Sequence, residues 1–218
     1  MKNTLILLLL IYGMVNLSMS QVDSTKYMSV VSATKMNVVY LGVPNPFDIM
    51  ATGVSFEKMK VTISQGTITY DSPYHYTIFP ESTGILSLEI NAEINGESKV
   101  VGRHQFRVKR IPDPIATIAG MTGGIILKDT LVAQIGIKTI IENFDFDVIF
   151  HVTEFSFIYT DSMNNVNSID VHGAMFTKNI TDQILKSQRG ETLIFENIKA
   201  KGADGEIRSI GRVKFTIY

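Results

Sequence analysis

The chain has no cysteine and no tryptophan, and its 218 residues include only six prolines and four histidines. Without cysteine it can form no disulfide, and it has no thiolate to bind a metal or attack a substrate. Its 20 basic and 21 acidic residues nearly cancel. We therefore expect neither a nucleic acid nor an anionic membrane surface as a partner.

The motifs of common catalytic sites are also missing. The chain has no Gly-x-Ser-x-Gly sequence, and the glycine-rich segment 120–124 is not flanked by the strand and helix of a phosphate-binding loop. Asp145, Asp147 and His151 would share one face of a strand, but positions four apart on a strand are about 13 Å apart, too far to share a small ion. We expect no enzymatic activity, no cofactor and no metal site.

The first twenty residues have the features of an export signal. Lys2 gives a positive start, an apolar run follows from Leu5 to Val15, and small residues precede a cleavage site between Ser20 and Gln21. This run is shorter than the roughly 20 residues that cross a bilayer. We expect residues 1–20 to be a cleaved signal peptide, which leaves a mature chain of 198 residues with a net charge of −2.

A segment of thirteen residues occurs twice, at 96–108 and at 205–217, and the two copies are 109 positions apart. They share five identities, and most of the other positions are similar in kind. Asn95-Gly96 and Asp204-Gly205 precede the copies, and both dipeptides favour the positive φ angles of a type I′ turn. The repeat predicts two similar β-modules, each ending in the same hairpin and last strand.

Short apolar strands separated by turn residues predict an all-β fold. We expect two tandem immunoglobulin-like antiparallel β-sandwich modules at 29–110 and 115–218, joined by residues 111–114. Pro112 and Pro114, on either side of Asp113, favour a stiff, extended joint about 12 Å long.

The second module has a further pattern of alternating apolar residues. It predicts a strand with Phe144, Phe146, Val148, Phe150 and Val152 on one face. The apolar phase shifts at Phe155, which predicts a β-bulge between Val152 and Phe155. Residues 179–190 are predicted to form the one short helix, with Asn179 as its N-cap and Gly190 at its end.

Arg103, Arg107 and Lys109 share one face of the last strand of the first module, and Arg110 follows them. We consider these four residues a candidate interaction surface. The alternative interpretation is a solvated sheet face without a partner.

Several segments resemble a known family. These segments are residues 37–42 with 45–46, 106–114, 143–147 and 195–202. The first is similar to the start of the third periplasmic domain of the gliding-motility protein GldM, and the second to the junction between the last two domains of that family. The other two are similar to its final domain, and the segments occur in the family's order from about Ser29 to Tyr218.

This resemblance implies a role in the motor-driven gliding and type IX secretion apparatus. In that family the C-terminal β-domains form a dimeric periplasmic shaft that reaches toward outer-membrane-associated components. We expect a signal peptide where the family has a transmembrane segment, a helical domain and a further β-domain, and this expectation departs from the family's pattern. The chain also has Ala203 where the family leads us to expect proline.

The sequence thus favours a non-enzymatic periplasmic interaction protein that contacts itself, as a homodimer, or an outer-membrane-associated protein. The alternative is an extracellular or surface-attached immunoglobulin-like module that binds glycan or peptide.

Overall fold

The computed structural model describes residues 36–218, and the expected signal peptide, with Ser20 and Gln21, lies outside this range. Within the described range the chain forms fifteen strands, two α-helices and one short 3-10 helix. The all-β class predicted from the sequence is therefore confirmed.

The first half, residues 36–109, consists of two facing sheets. Its strands are β1 Val38–Tyr40, β2 Asn45–Asp48, β3 Met59–Ile63, β4 Thr67–Ser72, β5 His75–Phe79, β6 Gly84–Ile94 and β7 Glu97–Lys109. One sheet has the order β1-β7-β6-β3 and the other the order β2-β5-β4. The β1–β7 pair is parallel, and the other pairs are antiparallel.

The core of this half follows from the alternation of apolar residues on β6. Leu86, Leu88 and Ile90 are buried, as expected where one face of a sheet covers a core. These side chains belong to the same apolar cluster as Tyr76 and Ile78 of β5 in the other sheet. The two sheets thus form a sandwich around one core.

The second half, residues 115–218, has a larger sheet and two helices. Its strands are β8 Ile115–Thr117, β9 Gly123–Ile126, β10 Lys138–Ile140, β11 His151–Thr160, β12 Val166–His172, β13 Thr192–Lys201, β14 Ile207–Ser209 and β15 Val213–Ile217; its helices are α1 Lys128–Val132 and α2 Lys178–Lys186. The large sheet has the order β12-β11-β13-β15-β9, and β14 also pairs with β13. Strands β8 and β10 form a separate two-stranded sheet.

Aromatic side chains fill the core of the second half. Phe155, Phe157, Phe195 and Phe215 are almost completely buried and pack together with Leu131 of α1 and two isoleucines of α2. Fully burying a side chain of this size contributes about 1.5–3 kcal/mol to folding. This core therefore stabilises the second half without any disulfide.

The helix predicted from the sequence is present as α2, but it begins earlier and ends sooner than expected. Thr177, not Asn179, is the N-cap, and its hydroxyl accepts a hydrogen bond from the N–H of Ile180 at 3.4 Å. Ile180 and Ile184 face the core, because positions four apart lie on the same side of a helix. At the other end, Lys128 Nζ donates to the Leu185 and Ser187 carbonyls. This places a cation at the negative end of the helix dipole, where it is stabilising.

The predicted bulge is confirmed, whereas the predicted start of its strand is wrong. The pairing of β11 with β13 shifts register between Val152 and Glu154 and again between Glu154 and Ser156. Residues 144–150 are not in a strand, and β11 begins at His151. Phe144 and Phe146 are only half-buried, because they cover the joint described below instead of forming the core of the sheet.

The two predicted hairpin turns differ from each other. Asn95 and Gly96 both have positive φ, 54° and 81°, as a type I′ turn requires. At the second turn Gly205 has positive φ whereas Asp204 does not, so the expected type I′ geometry is wrong there. The reason lies in Asp204, whose side chain is buried in an ion pair.

Candidate functional site

The four basic residues of the candidate interaction surface extend from the sheet to the joint. Arg103 and Lys109 are exposed, whereas Arg107 is half-buried and has interactions of its own. Arg110 follows β7 and pairs with Glu206 of the second half. Lys109 has no ion-pair partner among the described residues, so its charge is the one most open to an incoming group.

Arg103 is part of an ion pair across two neighbouring strands. Its Nε donates to Glu89 Oε2 at 2.9 Å, from a position directly opposite on β6. Hydrogen bonds from Arg103 and then from Asn91 hold the pKa of the Glu89 carboxyl below its ordinary value. Because both groups are solvent-exposed, this pair contributes little to stability, and it can exchange partners at small cost.

The outer edge of β7 is open over most of its length. β6 pairs along one edge of β7, and β1 covers the other edge only from Arg107 to Lys109. Within residues 36–218, no strand pairs with that edge from Glu97 to Phe106. Unpaired N–H and C=O groups along a strand edge are a template for a strand from another chain.

The tip of the β6–β7 hairpin extends beyond the core of the first half. Residues 93–101 are all exposed, on both faces of the hairpin. They include Ile94, Val100 and Val101, and a register shift opposite Ile90 and Asn91 leaves Val101 as the extra residue of a bulge. A bulge bends the strand and interrupts its edge, so the open edge consists of two shorter stretches on either side of Val101.

Residues 111–114, the predicted joint, are tied to the second half by an arginine that sequence reasoning missed. Pro114 is buried, whereas Pro112 and Asp113 are exposed. Arg208 Nη1 donates to the Ile111 carbonyl at 2.7 Å and to Asp113 Oδ1 at 2.9 Å. The joint is therefore held by hydrogen bonds as well as by its prolines.

Arg208 is almost completely buried. Its side chain is 5% exposed, and its Nη2 pairs with the fully buried carboxylate of Asp204. The guanidinium carbon lies 5.0 Å from the centre of the Phe150 ring, a cation–π distance. A buried ion is costly unless it is paired and hydrogen-bonded, and here both ions of the pair have a partner.

A small apolar cluster surrounds this ion pair and connects the two halves. Val43 of the first half, Ile111 of the joint, and Phe150 and Ala200 of the second half are buried together. Tyr40 packs edge-on against the Phe144 ring, with the two centres 4.8 Å apart. Residues 144–150, which were predicted to form part of a strand, thus pack against the joint instead.

Gly42 permits the close approach of the two halves at this point. A Cβ atom at Gly42 would lie 2.7 Å from the Cα of Asp204, nearer than real Cβ atoms approach a backbone. Gly42 also has a positive φ of 79°, which side chains disfavour. Any larger residue here would push the β13–β14 turn away from the first half.

The outer face of the second sheet carries a polar cluster that does not have catalytic geometry. Ser156 Oγ donates to Asp170 Oδ1 at 2.7 Å and accepts a hydrogen bond from Asn197 Nδ2 at 3.3 Å. His172 lies 4.0 Å from Glu154 and does not bond to Ser156. A serine nucleophile is usually activated by a neighbouring base such as histidine, and this hydroxyl is instead directed at a carboxylate.

The described residues, 36–218, contain no group of three or more histidine, aspartate or glutamate side chains placed to hold a metal ion. Within the same range, no helix has both the length and the apolar character needed to cross a membrane.

Comparison with known families covers nearly the whole described chain. Residues 28–109 match the GldM third domain, and residues 112–218 match the GldM C-terminal domain. The chain belongs to the GldM family. The two matches meet at the joint, between the end of β7 and Pro112. The chain is accordingly a GldM-like protein of the gliding and type IX secretion class, and its domains are of non-catalytic kinds.

No curated protein matches the chain. Among solved structures, the N-terminal four immunoglobulin domains of Dscam1 isoform 8.4 match at 11% identity and a TM-score of 0.24, over 84% of this chain and 49% of that one. The chain thus spans about half the length of that structure. The sialic acid binding region of a Streptococcus sanguinis SK1 adhesin matches at 11% identity and a TM-score of 0.22, over 83% of this chain and 75% of that one. Scores this low carry no argument about function.

Proposed function

We propose that this GldM-family chain is a non-enzymatic, exported interaction protein that binds a protein partner of the gliding and type IX secretion apparatus through β7. The observation that supports this is the open edge of β7, which offers unpaired backbone groups beside the basic residues Arg103 and Lys109. Backbone pairing gives affinity in such complexes, and the charges select and orient the partner. We expect the partner surface to be acidic.

Other parts of this proposal follow from the sequence and the family. The signal peptide would be cleaved between Ser20 and Gln21, and the mature chain would reside in the periplasm. Residues 29–110 and 115–218 would be separate folding modules joined by 111–114. The partner would be an outer-membrane-associated component, and a two-fold homodimer is the expected oligomer.

Site-specific photo-crosslinking in the cell tests the proposed surface. A crosslinking residue at Gln105, an exposed position on β7, is expected to capture an envelope protein. The same residue at Lys214, the exposed counterpart in β15, is the matched control. Capture at both positions alike, or at neither, would refute the proposed surface.

Variants that remove positive charge from the β7 surface provide a second test. Changing Arg103→Gln and Lys109→Gln together is expected to reduce capture from Gln105 several-fold. The matched pair Arg212→Gln and Lys214→Gln removes the same charge from the second half and should leave capture unchanged. Cell fractionation and light scattering of the purified chain test the location and the dimer.

A further inference from the structure

A second surface, on the opposite side of the first sandwich from β7, has a different character. An open cleft of about 430 Å³ lies between β3, the edge strand of one sheet, and β4, the edge strand of the other. The two strands are joined by a tight turn at Ser64–Gly66 and separate from there. We call this the aromatic cleft; its lining residues include Phe56, Tyr70 and Tyr76.

Runs of consecutive strand residues line the two walls of the aromatic cleft. Met59, Lys60 and Val61 line one wall, and Ile68, Thr69 and Tyr70 line the other. Side chains of consecutive strand residues point to opposite faces of a sheet. Three consecutive residues can therefore line one wall only if the edge of the strand, with its N–H and C=O groups, faces the cleft.

These two edges have no strand partner within the described part of the chain. β3 pairs only with β6, and β4 pairs only with β5. A sugar or a small apolar molecule would leave the regular row of backbone groups unmatched. An extended polypeptide matches it, because its own N–H and C=O groups repeat with the same spacing.

The floor of the cleft suits a large apolar side chain. Phe56 contacts Tyr70 and Tyr74, with ring centres 5.3 and 5.7 Å apart, and Tyr70 lies 6.2 Å from Tyr76. These edge-to-face contacts fix the rings in place. Tyr70 is nevertheless 63% exposed, so an incoming ring or aliphatic chain would find a rigid apolar surface that is not yet covered.

One charge beside the cleft selects among peptides. Lys60 is exposed on the outward face of β3 and forms no ion pair within residues 36–218. Glu57, the opposite charge at the rim, already accepts hydrogen bonds from its own N–H and from Ser55, which lower its pKa. Lys60 itself lies on β3, whereas Glu57 precedes that strand, so the complement of Lys60 on a strand added beside β3 is an acidic residue facing outward.

We propose that the aromatic cleft binds an extended peptide segment of a partner protein by strand addition to β3. The segment carries a large aromatic or aliphatic side chain that packs on Tyr70, and an acidic neighbour that faces Lys60. The alternation of a strand produces this order, because residues next to an inward-facing anchor face outward. This site is separate from the β7 surface, and neither proposal depends on the other.

The test is a selection of nine-residue random peptides, displayed on phage, against the full chain. Enriched peptides are expected to share one large apolar residue with an acidic residue beside it. A synthetic copy of the most enriched peptide is then measured by fluorescence anisotropy. Tyr70→Ala and Lys60→Glu are each expected to weaken its binding about tenfold, which corresponds to about 1.4 kcal/mol.

Matched variants control for changes in folding and for non-specific contacts. Lys58→Glu changes an exposed lysine two positions before Lys60 that does not line the cleft, and Met50→Ala removes an exposed apolar side chain elsewhere. Both should leave binding unchanged, as should Arg103→Gln on β7. Two versions of the peptide are methylated on alternate backbone nitrogens, one on the odd and one on the even positions. One of these two phases of methylation should abolish binding, because strand addition needs those N–H groups.

Several outcomes would overturn the proposal. These are a selection that enriches no common peptide, binding that is insensitive to both Tyr70→Ala and Lys60→Glu, and tolerance of backbone methylation in both phases. A glycan that competes for Tyr70 while peptides do not would also refute it. If Tyr70→Ala instead dissociates a dimer of the chain, the cleft is a contact between copies and the proposal fails.

Discussion

The two copies of the thirteen-residue repeat show how similar segments take different structures. In the first copy β7 is a single strand of thirteen residues, interrupted only by the bulge at Val101. In the second, the segment is divided into β14 and β15 by a break at Ile210–Arg212. The first copy extends its hairpin tip into solvent, and the second folds its hairpin against the joint. Corresponding positions therefore have different environments and should respond differently to the same substitution.

The largest difference is expected at the matched phenylalanines. Phe215 is completely buried, so Phe215→Ala should destabilise the chain by about 3–5 kcal/mol. Phe106 is half-buried and contacts the Phe47 ring edge-on, with the centres 4.9 Å apart, so Phe106→Ala should cost about 1–2 kcal/mol. Urea unfolding of both variants checks this. Equal losses would show that the two copies are packed alike.

The matched cations should differ by somewhat less. Arg208→Ala would leave the Asp204 carboxylate buried without a partner and should cost about 3 kcal/mol. Its counterpart Lys99 is an exposed residue that pairs with Glu97 at 3.2 Å, so Lys99→Ala should change stability by less than about 0.5 kcal/mol. Thermal unfolding measures both. A negligible effect of Arg208→Ala would mean that the joint is held by its apolar contacts alone.

A smaller difference is expected at the matched glycines. Gly211 has a φ of 84° with open space around it, so Gly211→Ala should cost about 1–2 kcal/mol through backbone strain. Gly102 has no positive φ, and an added Cβ would lie 3.2 Å from the flexible end of Ile90. Gly102→Ala should therefore stay within about 0.5 kcal/mol of the parent. If chemical denaturation showed a larger loss of stability for Gly102→Ala than for Gly211→Ala, the positive φ of Gly211 would not be what divides the second copy into two strands.

The smallest effect concerns the pH dependence of Glu89. Its pKa is lowered chiefly by Arg103, so this pair stabilises the fold above the ordinary glutamate pKa of 4.5 and ceases to do so as the pH falls through the lower folded-state value. Arg103→Gln should raise the pKa of Glu89 toward 4.5, and Arg212→Gln should not alter it. A carboxyl titration by NMR distinguishes the two variants. A Glu89 pKa unchanged by Arg103→Gln would assign the shift to Asn91.

Local patterns predicted much of this fold. The Asn95-Gly96 turn and the bulge after Val152 followed from turn chemistry and from a shift in apolar phase, and both are interactions between near neighbours in the sequence. The helix was also predicted, although its N-cap was placed two residues too late, because both Thr177 and Asn179 have suitable side chains. Boundaries of this kind depend on which polar group finds a donor in three dimensions.

Distant contacts were not predictable in the same way. Phe144 and Phe146 alternate like strand residues, but no strand within residues 36–218 pairs with them, and they cover Tyr40 instead. Similarly, Asp204-Gly205 has the composition of a type I′ turn, but burial of the Asp204 carboxylate beside Arg208 overrides that preference. The four basic residues of the candidate surface were found in the sequence, whereas the open edge beside them appears only in the sheet order.

The sequence alone determined the all-β class and the repeat, because alternation and turn residues act on the backbone within a few residues. Only the tertiary structure decided which repeat copy extends into solvent and which closes the joint. That choice depends on contacts between residues about 100 positions apart, such as Arg208 with Ile111 and Asp113. Lys99 and Arg208 occupy matched positions and look equivalent in the sequence. Only Arg208 is buried, beside carboxylates that pair with its charge.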